Sequence, residues 1–575
     1  MLPAPAAADG PRGVVVIITD DQGYGDLSCH GNPVLRTPNL DGLHAESVRL
    51  TDYHVAPTCS PTRAALLTGR YPNRTGVWHT IGGRNLLPPE ERTLDQRFAD
   101  AGYDTAMFGK WHLGDSYPFR PSDRGFGHVF RHTAGGIGHM PDPWDNSYFD
   151  GVYLRNGDAV RTTGFCTDVW FDAATDFVRR AVAGDKKFFV YLATNAAHGP
   201  FHAPPEAVEP FAEYEVRLAN FYGMLANIDE NVGRFIACLD DLGIADDTLL
   251  IFTTDNGTVL GQRVFNAGMR GNKGSPYDGG HRVPFFVRWP DAGIDGGRDV
   301  DLLSAHIDVS PTLIELCDLD SAGPPPDGVS LASHLRGERI DEPVERILIT
   351  DSQRLETPVR FRQSATMSSR WRLVDGVELY DIRTDPGQQA DVAESRPDVV
   401  ARLRGAYDAW WDSLAESFAD ATYYPVGRVS GERTELTAHD ARNDGRFLWS
   451  QGHVRTARPD AVGTTWRIDV RTAGHYRIEL RRWPRETAAP ITGTVPLGPP
   501  VPGQEPYRSI AAKPLPITRA GIAVAGQGLS RPVSGVDTAA AFDVDLDSGP
   551  TDIRAAFFTG DGTEYGVYYL SVARR

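Results

Sequence analysis

Four short apolar runs, each handing over to polar or charged residues, constrain this chain more than any other feature. Gly13 to Thr19 reads GVVVIIT, a continuous β-branched run without polar alternation. Such a run suits a strand buried on both faces, as in a mainly parallel sheet covered by helices. Asp104 to Phe108, Lys187 to Ala193 and Thr248 to Thr254 read as further strands. Helical spacing of apolar residues over Phe165 to Val182 and Asn220 to Leu242 predicts two amphipathic helices. The strands lead into Asp20-Asp21, Gly109-Lys110-Trp111-His112, Asn195 to His198 and Asp255-Asn256. Open α/β sheets bind ligands outside the carboxyl ends of their strands, so these loops are the candidate site.

Each loop carries its own chemistry. Adjacent Asp20 and Asp21 suit a hard cation such as Ca²⁺ or Mg²⁺, whose ligands are oxygens; a helix-capping aspartate is the plainer reading for one of them. Asp255 and Asn256 would complete an oxygen-rich set, although Asp-Asn-Gly on its own is a turn signal. Lys110 and His112 would face one side if the backbone stays extended, joining a cation to a titratable imidazole. Taken alone, that spacing is ordinary surface decoration.

Cys59-Ser60-Pro61-Thr62-Arg63 precedes an Ala/Leu-rich helical run ending at Gly69-Arg70. This puts a thiol at a helix N-terminus, where free N–H groups, the helix dipole and Arg63 favour an anion. A buried structural cysteine beside a turn proline competes with that reading. The glycine-rich loop from Met269 to Pro284 carries Lys273, and glycines let backbone approach an anion closely. His281 and Arg282 are either structural or part of the pocket, and His202 is a weaker candidate than His198.

A net charge of −18 over 575 residues argues against nucleic acid as partner, so an anionic substrate needs local cations. The five cysteines include no C-x-x-C pair, which leaves neither a disulfide framework nor a zinc cluster. Met1 to Gly10 lacks the basic and apolar regions of a signal peptide, and no run approaches the ~20 apolar residues of a membrane span. The chain as written is expected in the cytoplasm and off the membrane, or in the periplasm or medium if a leader has been removed. Its oligomeric state is open.

The run from Cys59 to Arg70 resembles the signature of the type I, formylglycine-dependent sulfatases, of the alkaline-phosphatase-like superfamily. Asp20-Asp21, Gly109 to Gly114 (GKWHLG), His198, Asp255-Asn256 and the Lys273 loop match further elements of that family, in its order, over residues 13 to 417. The resemblance implies an α/β fold with a large mixed, mainly parallel sheet flanked by helices. It implies that Cys59 is oxidised by a formylglycine-generating enzyme and that the hydrated aldehyde attacks the sulfur of a small-molecule or oligosaccharide sulfate ester. A divalent metal, Ca²⁺ with Mg²⁺ possible, would be held by Asp20, Asp21, Asp255, Asn256 and residue 59. Lys110, Lys273 and Arg63 would neutralise sulfate oxygens and orient the nucleophile. His198 would protonate the leaving alcohol, and His112 would help release sulfate from the sulfo-enzyme.

Beyond the core, Arg370 to Val374 and Glu378 to Ile382 read as strands of a small antiparallel sheet, followed by a helix from about Pro397 to Ser417. From about Ala419, period-two patterns such as Thr465 to Arg471 and Gly474 to Leu480 predict an appended β-sandwich of carbohydrate-module type. The expected division is 1–345 catalytic, 346–418 C-terminal subdomain and 419–575 accessory. Two other readings share these motifs: a formylglycine-dependent phosphonate monoester or phosphodiester hydrolase, and an inactive sulfated-glycan-binding protein.

Overall fold

A computed structural model describes residues 10–338, 345–419, 422–442, 448–457, 464–501 and 510–575. The leader reading of Met1 to Gly10 therefore falls, but for Gly10, outside the described residues. Gly13–Thr19 (β1) is a strand with every residue buried. Val15 and Ile17 enter one core cluster, while Val14, Val16 and Ile18 enter another. This two-sided burial is why the run shows no polar alternation.

The other strands of the large sheet are Val48–His54 (β2), Asp104–Gly109 (β3), His128–Arg131 (β4), Val152–Arg155 (β5), Asp158–Arg161 (β6), Phe188–Ala193 (β7), Thr248–Thr254 (β8), Phe285–Arg288 (β9) and Asp299–Ala305 (β10). Their order is β10-β2-β9-β8-β1-β7-β3-β4-β5-β6. The five strands β8, β1, β7, β3 and β4 run parallel, with Val15 beside Val190 and Leu250. β9 opposes both β8 and β2, and β5 opposes β4 and β6, so the sheet is mixed with a parallel centre.

Helix Cys59–Thr68 (α1) supplies Ala64, Leu66 and Leu67 to one face of the sheet. Cys166–Ala183 (α2) and Val216–Asp241 (α3) cover the other, through Trp170, Phe171, Phe221 and Leu225 among others. α3 starts earlier than its apolar spacing predicts, because Glu215 caps it by accepting from the Arg217 N–H.

A four-stranded antiparallel sheet follows: Leu348–Asp351, Ser364–Met367, Trp371–Val374 and Glu378–Asp381. Pro397–Asp412 (α4) packs on it through Val399 and Leu403 against Leu373 and Leu379. The helix ends at Asp412, and a separate short helix, Ala415–Ala419, takes the place of its expected last turn.

The C-terminal part is a pair of sheets around one core. Thr464–Val470, Gly549–Thr559 and Ile517–Val524 lie in one; Gly474–Arg481, Ala540–Leu546 and Tyr569–Arg574 lie in the other. Trp466, Ile468, Ile478, Leu480, Phe542 and Phe557 fill the space between them. Burial alternates strictly along Thr464–Val470, as its period-two sequence predicts. The last strand of the chain is Tyr569–Arg574.

Candidate active site

Parallel strands end on one edge of a sheet, and four adjacent ones place the candidate residues there. Asp20 and Asp21 follow β1, Lys110 follows β3, His198 lies in the loop after β7, and Asp255 and Asn256 follow β8. Cross-strand hydrogen bonds hold these ends: the Lys110 N–H donates to Ala193 O at 2.7 Å, and the Asp255 N–H to Thr19 O at 3.1 Å. Gly109, at φ +97°, makes the tight exit from β3; a Cβ there would lie 2.0 Å from Ala193 O. Only glycine fits this crossing.

The expected groups converge. Cys59 is the first residue of α1 and is buried, with 2 % of its surface exposed. Lys273 donates to Asp21 Oδ1 and lies 3.5 Å from Cys59 Sγ. Lys110 Nζ lies 2.6 Å from Asp20 Oδ2, and the Asn256 amide donates to Asp21 Oδ1 at 2.8 Å. Arg63 Nε and Nη2 both donate to Asp255 Oδ2, at 3.0 and 2.7 Å, and its Nη1 donates to Lys110 O at 3.0 Å. With those nitrogens committed and no exposed side-chain surface, the Arg63 guanidinium is aimed at Asp255 and Lys110 O and stands behind the cleft wall.

Electrostatics follow from burial. Burial and neighbouring Asp255 push the Asp20 carboxyl well above the usual range. Burial also opposes ionisation of Asp21, but Lys273, helped by His198 and Lys110, outweighs it and holds that carboxyl below the usual range. Burial raises the Cys59 thiol, against the pull of Lys110 and Lys273.

The donor set fits a hard cation. Asp20 Oδ1 and Asn256 Oδ1 are buried oxygens with no hydrogen-bond partner, and the ligand atoms of Asp20, Asp21 and Cys59 all lie within 4.8 Å of one another. Orphaned buried oxygens beside several carboxylates are costly unless a cation satisfies them.

The two histidines are placed differently. His198 Nδ1 donates to Gly199 O at 2.7 Å, leaving Nε2 as the basic nitrogen, and burial with Lys273 lowers its pKa to about 3. His112 Nε2 donates to Thr80 O at 2.8 Å, while its Nδ1 is buried without a partner. The expected extended backbone through Lys110 and His112 gives way at His112, which sits at φ +61°. Lys110 points inward to Asp20, while His112 lies on the cleft wall. His281 Nδ1 lies 2.9 Å from His54 Nδ1, and Arg282 donates to Thr51 O, so both belong to the scaffold rather than the cleft. His202 is fully buried against Tyr148, with ring centroids 5.9 Å apart.

These groups open into a cleft of about 500 Å³ lined by Asp21, Cys59, His112, His198 and Lys273. Its wall also includes His139, Arg354 and Trp449, which the sequence reading did not single out. Trp449 comes from the C-terminal part, whose buried His439 places its ring centroid 6.1 Å from both His112 and His139. Arg354 follows the strand Leu348–Asp351 of the small antiparallel sheet, His139 and Trp449 lie in loops, and none of the three belongs to a recognisable motif.

The fold and site define a hydrolase with a mixed α/β sheet of alkaline-phosphatase-like architecture. The chain belongs to the sulfatase family, whose model, described as "Sulfatase", matches residues 12–319, and it is a sulfuric ester hydrolase. It is 33 % identical over 375 residues to N-acetylgalactosamine-6-sulfatase of Canis lupus familiaris, covering 59 % of this chain and 69 % of that one. It is 35 % identical over 370 residues to arylsulfatase A of Homo sapiens, covering 58 % and 70 %. Among solved structures it resembles Ps i-CgsB with a TM-score of 0.62 and 26 % identity, covering 70 % of this chain and 92 % of that one. A second structure of Ps i-CgsB, in complex with k-i-k-neocarrahexaose, gives the same TM-score at 25 % identity, with the same coverage of each chain. Among the described residues no helix is long and apolar enough to cross a membrane.

Proposed function

We propose that this sulfatase acts on sulfated carbohydrates, with position 59 as formylglycine and a divalent cation, Ca²⁺ or else Mg²⁺, held by Asp20, Asp21, Asp255, Asn256 and residue 59. The observation that carries the reading is the Lys273 ammonium, which reaches both Asp21 and Cys59 at the mouth of the cleft. An ammonium there neutralises a sulfate oxygen delivered to position 59 and also fixes Asp21. When bound, the cation supplies Lewis-acid polarisation of the sulfate and a lower pKa for the attacking hydroxyl.

The remaining steps belong to the chain's own side chains. Lys110 and Lys273 bring positive charge to the sulfate end, and Arg63 holds Asp255 in place. His198 stands beside Lys273 with its Nε2 free of the Gly199 bond; an anionic ester arriving beside it favours the imidazolium, which protonates the leaving alcohol. The unpartnered Nδ1 of His112 is the acceptor for the proton lost when sulfate is released and the aldehyde is regenerated. The division of labour is residues 1–345 for catalysis, 346–418 as its subdomain and 419–575 as the accessory domain. The sequences of N-acetylgalactosamine-6-sulfatase and the saccharide complex of Ps i-CgsB support a sugar sulfate as substrate.

The test is turnover of paired 4-nitrophenyl sulfate and phenylphosphonate esters by protein co-expressed with a formylglycine-generating enzyme, with Cys59→Ala as control. Sulfate release that disappears in the control is expected. Faster phosphonate cleavage would make the chain a phosphonate hydrolase. No cleavage of either, with position 59 oxidised, would leave a pocket that demands a larger substrate or a scaffold that only binds glycan, and turnover of a sulfated oligosaccharide separates the two.

A further inference from the structure

Of the chain's tryptophans, Trp449 alone is exposed among the described residues, with 43 % of its surface accessible. It lines the same cleft as Cys59 and Lys273, although it comes from the C-terminal β part. An indole offers a large apolar face with a polar N–H edge, and aromatic side chains of this kind line ligand-binding clefts.

The backbone that carries the ring is held in place. Trp449 O accepts from the Met140 N–H at 2.9 Å, and the indole edge meets His453 at a centroid distance of 4.6 Å and an interplanar angle of 85°. Ser450 pairs with His139, and Gln451 Nε2 donates to the carbonyls of His139, Asp142 and Pro143 at 3.0–3.1 Å. Arg455 grips Asp145 through two bonds of 2.6 and 2.7 Å. The C-terminal part thus clamps the loop that carries His139, whose ring stands 5.8 Å from that of His198. A surface preorganised in this way loses little side-chain freedom on binding.

The cleft also holds a cation that the chemistry at Cys59 does not use. Arg354 is exposed and lines the cleft, and its guanidinium approaches Gly274, the neighbour of Lys273. A guanidinium matches the planar, bidentate geometry of sulfate or carboxylate oxygens.

We propose that Trp449 and Arg354 form a leaving-group subsite in which the indole stacks on the apolar face of a sugar ring and the guanidinium takes a second anionic group of the same oligosaccharide. The subsite rests on the sulfatase reading above and assigns the C-terminal β part a share in substrate selection. A small aryl sulfate fills position 59 and leaves Arg354 without a partner. An oligosaccharide carrying a further sulfate or a uronate engages both residues, which makes the preferred substrate an anionic glycan longer than one residue.

The experiment compares the full-length, formylglycine-bearing protein with its Trp449→Ala, Trp449→Phe and Arg354→Ala variants, on 4-nitrophenyl sulfate and on sulfated galactan and glycosaminoglycan tetrasaccharides. Trp449→Ala should raise KM for the best tetrasaccharide at least tenfold more than it raises KM for the aryl ester, with kcat for the tetrasaccharide changed less than threefold. Trp449→Phe should recover most of that KM. Arg354→Ala should raise KM only for tetrasaccharides with a second anionic group. Equal losses on both substrate types, or no change in tetrasaccharide KM, would overturn the subsite. Wild-type turnover of the aryl sulfate but of no tetrasaccharide would overturn it and leave the sulfatase reading standing. Turnover of neither substrate would remove that reading itself.

Discussion

Arg63 and Asp255 form an ion pair with no exposed surface on either side chain, two guanidinium nitrogens converging on one carboxylate oxygen. The pair joins the first turn of α1, which carries Cys59, to the end of β8. Removing one partner of such a pair leaves an uncompensated buried charge. Arg63→Ala is therefore expected to lower unfolding stability by roughly 3–5 kcal/mol and to abolish sulfate release. Denaturant midpoints of wild type and variant measure the first effect; an unchanged midpoint would show that the pair does not hold the site together.

Added cation should stabilise the protein, because Asp20 Oδ1 and Asn256 Oδ1 are buried without partners. After chelation and dialysis, Ca²⁺ at a hundredfold excess over its Kd should add about 2.7 kcal/mol. Asp20→Ala and Asn256→Ala should reduce that gain. Thermal unfolding against CaCl₂ and MgCl₂ series reads both effects and ranks the two ions; a Tm indifferent to either ion would refute a metal at these residues.

His198 as the proton donor makes a prediction about leaving groups. His198→Ala should slow hydrolysis of an alkyl or sugar sulfate by about 10²–10⁴-fold. It should slow 4-nitrophenyl sulfate much less, since nitrophenolate leaves without a proton. Equal slowing of both esters would move the acid role elsewhere.

Acid should destabilise the fold through histidines remote from the cleft. Burial lowers the pKa of His281 and His306 to about 3, while an unfolded imidazole titrates near 6.5. Between those values the unfolded chain binds protons that the native chain does not, so stability is full above about pH 6.5 and falls as pH drops through this window. Each such histidine contributes a loss of about 1.4 kcal/mol per pH unit. Urea unfolding at pH 7.5, 6 and 5 gives the slope, which His306→Asn should make shallower.

Gly109→Ala tests the exit from β3. The added methyl would meet Ala193 O at 2.0 Å at a φ of +97°, so β3 and β7 would have to separate where Lys110 is aimed at Asp20. Lower Tm together with lost turnover is expected. Full activity at the parental Tm would mean that the strand end accommodates a side chain.

The pattern of residues carried much of this protein. Gly13 to Thr19 reads as a strand covered on both sides because every one of its residues is buried. The groups at its end are legible for a related reason: parallel strands deliver their C-termini to one edge, so Asp20, Lys110, His198 and Asp255 meet wherever the strands pair. Local inference failed where the backbone left the regular path. At His112, φ +61° broke the extended geometry that alternation assumes, and at α3 the cap at Glu215 set a start that the apolar spacing did not reveal.

From sequence alone came the α/β class and the helix that begins at Cys59, because each depends on contacts within a strand, a helix or their junction; Lys110, His112, His198 and Lys273 were legible as site residues through their match to the sulfatase motifs. Tertiary structure alone decided which of the cations would face solvent. It turned Arg63 inward to Asp255, placed Arg354 in the cleft beside the Lys273 loop, and brought Trp449 against the loop of His139 from the far end of the chain. Those positions depend on packing between elements hundreds of residues apart, which leaves no periodicity or motif in the residues themselves.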